Sequence, residues 1–237
     1  MLRPSDFFDL DNFSHRAVFR EDDWVWRAIT DLHPYLVEFF RSNEGTIRGQ
    51  VSDAARLHGT DIIIGEGTIV EDGATIHGPA IIGANCEIRQ GAYIRGDAIL
   101  GDGSVLGHAS ELKNAIMLDG AKAPHFAYLG DSILGREVNL GAGTKLSNLA
   151  VNSEKDEAGK RPTIHLMING ERVDTGLAKM GAIIGDYSQT GCNSVTNPGT
   201  LIGRNTLVYP NMAVAKGYYA DNLVVKLRQQ IETAARH

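Results

Sequence analysis

His125, Tyr128, Asn139 and Asn148 stand within one stretch, KAPHFAYLGDSILGREVNLGAGTKLSN, from Lys122 to Asn148. Imidazole is the side chain whose ordinary pKa lies nearest neutrality, so His125 can take a proton from a nucleophile at physiological pH. Upstream, Arg95 and Lys113 can hold an anion. Taken singly, each residue also has a plain structural use. The cations can be solvated surface charges, the tyrosine can pack on a neighbouring strand, and the asparagines can turn corners. A shared chemistry requires that the chain bring them to one surface.

The elements that would do so are written in the sequence as a period of six. Ile64, Val70, Ile76, Ile82, Ile88, Ile94, Leu100, Leu106 and Leu112 follow one another at that step without a miss. The frame slips by one residue, continues through Met117, Ala123 and Leu129, slips again, and continues through Leu134, Leu140 and Leu146. It returns at Ile184, Thr190, Thr196, Ile202, Val208 and Val214. Six fits neither a 3.6-residue helix nor simple alternation. It fits a solenoid in which each hexad is a short strand plus a corner, three hexads making one triangular coil. The expected fold is all-β, a parallel β-helix of about seven coils. Its left hand, an exception to the right-handed crossover rule, follows from resemblance to hexapeptide-repeat proteins. Arg95 and Lys113, 18 residues apart, should then stack on one face, with His125 in the next coil.

Three segments lie outside the frame. Residues 1–48 are expected to form a helical cap over the first coil or a packing surface for a partner subunit. Val25, Ile29, Leu32, Leu36 and Phe40 share a helical face there, with Pro34 kinking or splitting the helix. Residues 49–218 form the β-helix, with an insertion at 149–181. The Asn169-Gly170 pair marks a hairpin in that insertion, which reads as an active-site lid or subunit clamp. Residues 219–237 are expected to be a C-terminal helix capped by Asp221, with Leu223, Leu227 and Ile231 on one face.

Composition narrows the function. Net charge is -6, with no basic face for nucleic acid. The N-terminus lacks a secretory pattern and no run reaches the ~20 apolar residues of a membrane span, so a cytoplasmic protein is expected. Cys86 and Cys192 form no metal spacing. Glycine, at 27 of 237, is spread through the middle of the chain, as repeated tight turns require.

The stretch GHASELKNAIMLDGAKAPHFAYLGDSILGREVNLGAGTKLSN resembles the acetyltransferase domain of the bifunctional N-acetylglucosamine-1-phosphate uridyltransferase/glucosamine-1-phosphate acetyltransferase family. The ELKN, KAPH, YLGD, VN-x-GAGT and terminal asparagine elements fall at that family's spacing. The resemblance implies a homotrimer that acetylates an amino-sugar 1-phosphate from acetyl-CoA, the sugar amine attacking the thioester directly. It implies His125 as general base, supported by Asn139. Arg95, Lys113, Tyr128 and Asn148 would hold the sugar phosphate. Lys179, with Lys155 as rival, would reach the phosphate of a neighbouring subunit. Ala142 and Cys192 would lie along the acyl donor. No metal is implied. The N-terminal residues are too few for a uridyltransferase domain, so pyrophosphorylase activity is not expected. The insertion resembles relatives that also accept galactosamine-1-phosphate. Two other readings stay open. One is a binding module for sugar phosphates or sugar nucleotides without turnover. The other is a metalloenzyme of the γ-carbonic-anhydrase type, to which Gly107-His108 bears some likeness, although His108 otherwise reads as structural.

Overall fold

The computed structural model describes residues 1–228. Three flat parallel sheets wind into a left-handed β-helix. The first sheet has nine strands, from Thr46–Ile47 to Gly217–Tyr219, and the second nine, from Gln50–Val51 to Val224–Val225. The third has eight, from Arg56–His58 to Ala213–Val214. Every residue of the six-residue frame, from Ile64 to Val214, is buried. Together they form one apolar column enclosed by the three sheets. Stacking each coil on the last covers this column from water, and no long-range folding-back is needed to build it.

The β-helix is longer than the frame indicated. It begins at Thr46, where Val51 and Leu57 pack against the interior column, and it continues past Val214. The expected helix from Asp221 is not formed over residues 221–228. Val224–Val225 instead pairs with Leu207–Val208, adding a strand. Asp221 caps a corner, not a helix, because its Oδ1 accepts the Arg204 N–H at 2.8 Å. Asp102 does the same for Ala84 at 2.7 Å. The rest of the expected helix lies outside the described residues.

The N-terminal segment does not cap the first coil. Helix Arg27–Ser42 runs through Pro34 without a break and buries Ile29, Leu32 and Leu36. With Phe7, Phe8, Phe13, Phe19 and Trp26 these residues lie along the outer face of the first sheet, on Ile81, Ile99, Ile116, Ile133, Ile183 and Leu201. That face carries an isoleucine or leucine beside each inward residue, as in Ala98-Ile99-Leu100, so both sides of these strands are buried. Asp186 ties the segment down: its Oδ2 accepts the Asp9 N–H at 2.7 Å and its Oδ1 the Arg136 N–H at 2.8 Å.

The insertion forms the hairpin expected of it, His165–Ile168 with Glu171–Asp174, turning at Asn169 and Gly170 in the left-handed region. Its apolar residues Ile164, Leu166 and Ile168 join the same outer-face cluster as the N-terminal segment. Within the chain the hairpin therefore closes on the flank of the first sheet and is no lid over the residues described next.

Candidate active site

Two groups of the candidate residues assemble, on neighbouring surfaces of the third sheet. Strands Tyr93–Ile94, Glu111–Lys113 and Tyr128–Gly130 pair in parallel, with Glu111 level with Tyr93 and Tyr128. Alternation along the strands turns Leu112 and Leu129 inward and Tyr128, Glu111 and Lys113 outward. The same register sets Arg95 beside Lys113. Arg95 Nη1 donates to Glu111 Oε1 at 2.7 Å. Lys113 Nζ lies 3.8 Å from Asp131 Oδ1.

Asp131 is the centre of the first group, and the sequence reading assigned it no role. It sits buried at the corner between the third and first sheets, in the left-handed region at φ 48°. Oδ1 accepts from Asn114 Nδ2 at 2.8 Å, and Oδ2 accepts from Asn148 Nδ2. Tyr128 Oη donates to Asn148 Oδ1 at 3.4 Å. Burial, reinforced by the charges of Glu111 and Asp131, pushes the Tyr128 hydroxyl above its ordinary pKa, so it stays a neutral phenol. Gly130 makes room for this pairing. A Cβ there would lie 2.5 Å from Tyr128 Oη and 2.7 Å from Asn148 Nδ2. Neither Asn148 nor Asn139 is a left-handed corner residue; Asn85, Asn193, Asn205 and Asn211 are.

The second group lines the corner between the second and third sheets. His125 ends strand Lys122–His125, is exposed, and is followed by Phe126 at φ 51°. Its carbonyl accepts the Gly143 N–H at 2.9 Å, which brings Ala142 level with it in the next coil. The Ala142 carbonyl accepts the Asn193 N–H at 2.8 Å, bringing Cys192 into the same column. His125, Ala142 and Cys192 thus run up one corner. Among the described residues the His125 ring has no hydrogen-bond partner. His108 has one: its Nδ1 lies 2.9 Å from the Gln90 carbonyl, and its ring meets the edge of Phe126.

Asn139 joins neither group. It is level with Lys122 and Gln189. That is three residues from the level of His125, or roughly 10 Å along a strand. Lys179 is exposed, but the next residue, Met180, donates its N–H to the Asn148 carbonyl at 2.9 Å. The returning insertion therefore delivers Lys179 beside the first group. Lys155 precedes an exposed turn closed by Asp156 N–H to the Lys160 carbonyl at 2.8 Å.

Chemically, the surface offers two cations in register, a phenol and an oriented amide, and around the corner an accessible imidazole. Arg95 is held by Glu111 in a pair open to solvent, worth only about 0–1 kcal/mol, which an incoming anion could displace, while Lys113 faces the buried Asp131. Sequence reasoning overlooked Asp131, Glu111 and Asn114. The signal that could have found Asp131 is its place one 17-residue coil after Asn114, on the same left-handed corner, since Lys113 is level with Gly130.

A family model described as the GMPPB C-terminal domain matches residues 76–175. The chain is 34% identical over 219 residues to the bifunctional sugar-1-phosphate nucleotidylyltransferase/acetyltransferase of Sulfurisphaera tokodaii, covering 90% of this chain and 52% of that protein. It is 31% identical over 210 residues to the bifunctional protein GlmU of Methanococcus maripaludis, covering 86% of this chain and 49% of that protein. The chain thus spans about half the length of the curated relatives it matches. Among solved structures, the UDP-N-acetylglucosamine acyltransferase of Francisella novicida matches 71% of this chain and 62% of its own, at 16% identity and a TM-score of 0.45.

Proposed function

Proceeding from the kinship of this chain with the acetyltransferase half of the bifunctional nucleotidylyltransferase/acetyltransferase proteins, we propose that it is a CoA-dependent N-acetyltransferase acting on an amino-sugar 1-phosphate. The observation that carries the reading is the register of Arg95 with Lys113, beside Tyr128 and Asn148 and one corner away from His125. In this reading the sugar phosphate takes Arg95 from Glu111 and shares Lys113 with Asp131. Tyr128 and Asn148 hydrogen-bond the sugar. The His125 imidazole takes a proton from the amine as its nitrogen attacks the thioester carbonyl. The C–N bond forms, the C–S bond breaks, and CoA leaves as the thiol once protonated. Acetyl-CoA runs along the Ala142 and Cys192 corner.

Taking the homotrimer as part of the proposal, a neighbouring subunit closes the cleft and Lys179 completes the phosphate site across it. The placement of Lys179 beside Asn148 supports it over Lys155. In this reading Asn139 serves the acetyl end and makes no direct bond to His125, from whose level it stands three residues away.

The test is thiol release from acetyl-CoA with glucosamine-1-phosphate and with galactosamine-1-phosphate. Release with either sugar that drops 100-fold or more in His125→Ala is expected, the range of a lost general base. No release from a folded protein that still binds both sugars would sink the reading and leave a binding module.

A further inference from the structure

The insertion builds a second cleft, remote from His125. The strand Gly217–Tyr219 is the last of the first sheet, and the hairpin lies beside it. Between them is a cavity of about 690 Å³. This falls within the range of roughly 300–1,000 Å³ of small-molecule sites. The hairpin approaches closely because residue 199 is glycine. A Cβ there would lie 2.8 Å from Ile164 Cγ2 and 2.9 Å from Leu166 Cδ2. At φ 85° the backbone favours glycine as well.

The lining is unlike the rest of an acidic chain. Arg172 comes from the hairpin and Lys216 from the last coil, and among the described residues no aspartate or glutamate lines the cavity. Among the described residues neither cation is ion-paired. Of the acids beside Arg172 in the hairpin, Glu171 and Asp174, Asp174 lies 3.7 Å from His165 Nε2 and accepts the Gly176 N–H at 2.9 Å, its charge shared between His165 and Arg172. Tyr218 adds an aromatic ring, whereas Tyr219, the next residue of the strand, turns toward the interior column. Tyr218 is braced from behind by Phe7, edge to face at 5.9 Å. Two cations contributed by two separate elements suit adjacent phosphates. A tyrosine ring suits a flat base.

We propose that this cleft binds a nucleoside diphosphate, with its phosphates between Arg172 and Lys216 and its base against the Tyr218 ring. The ligand chemistry has two sources, the 3′-phosphoadenosine diphosphate end of a CoA thioester and a uridine diphosphate sugar. The site uses none of the residues placed in the acetyltransferase reading, so nucleotide binding is tested apart from it; only the assignment of the source through the KM for acetyl-CoA rests on that reading.

Titration calorimetry on the full chain tests it, with ADP, UDP and inorganic pyrophosphate as probes. One of the nucleotides should bind, at least tenfold tighter than pyrophosphate. The Arg172→Gln/Lys216→Gln protein should bind it at least tenfold more weakly while melting as the parent does; Lys216→Gln alone serves if the pair does not fold. No binding of either nucleotide, equal binding of pyrophosphate, or unchanged affinity in the variants overturns the proposal. Tighter ADP with a raised KM for acetyl-CoA in the variant identifies the CoA end as the source. Tighter UDP with that KM unmoved identifies a sugar nucleotide.

Discussion

The Asp131 carboxylate accepts a hydrogen bond from Asn148 Nδ2, and that bond decides which way the Asn148 amide faces. With the nitrogen committed to Asp131, the oxygen is left to accept from Tyr128. The Tyr128 lone pairs are then free to accept from a sugar hydroxyl. Asp131 thus orders a site it has no need to touch, through a half-buried amide whose two ends are both engaged.

Asp131→Asn replaces an acceptor of three groups by one that must also donate. Leaving a buried donor unpaired costs about 1–3 kcal/mol, or roughly 5- to 150-fold in affinity. The KM for the amino-sugar phosphate should rise within that range while the KM for acetyl-CoA stays within about twofold. Steady-state kinetics with each substrate varied in turn checks this. A uniform fall in kcat with both KM values unmoved would show that Asp131 only supports the fold.

Gly130→Ala meets no backbone obstacle, because Gly130 is not in the left-handed region. Its methyl must instead displace Tyr128 Oη and Asn148 Nδ2. Overpacking of this kind costs about 1–3 kcal/mol. Calorimetric affinity for the sugar phosphate should fall by tenfold or more, with a protein that remains folded. Wild-type affinity would mean that the Tyr128–Asn148 pairing does not matter for binding.

The two faces of the first sheet should be equally demanding. Ile82 and Ile99, both on strands of the first sheet, are fully buried, one in the interior column and the other beneath the N-terminal segment. Each truncation to alanine should cost about 2–5 kcal/mol in urea denaturation. A cost for Ile99→Ala below about 0.5 kcal/mol would mean that the N-terminal segment is not seated on the sheet.

His15 reports the same seating through pH. Burial among Phe13, Tyr35 and Phe39 holds its pKa below the ordinary 6.5, against a weaker opposite pull from Asp102. The unfolded chain therefore binds the proton more readily than the folded one. The stability from keeping His15 neutral is present above pH 6.5 and lost as pH falls from there through the folded value. Melting temperature should decline over that window in the wild type, and less steeply in His15→Gln. Identical slopes would place the ring in solvent.

The repeat could be read without coordinates because each hexad carries its own instruction: one inward aliphatic residue, small residues near it, then a corner. Neighbouring coils need only stack, so the order of strands, the buried column and the pairing of Arg95 with Lys113 follow from counting residues. The Asn169-Gly170 hairpin was legible for the same reason, its turn being local. What lay against the outside of the column was not. Ile81, Ile99 and Ile116 look like ordinary strand residues until a segment far away in sequence covers them. Leu223 and Leu227 are spaced as on a helix, yet Val224 and Val225 find an open strand edge at Leu207 and Val208, and ladder bonds to a waiting sheet outweigh a short helix's weak propensity. Asp131 is a single acid in the sequence. Only the tertiary structure buries it with Lys113, Asn114 and Asn148, because burial leaves a carboxylate no water to satisfy it and obliges it to gather its partners from the coils on either side.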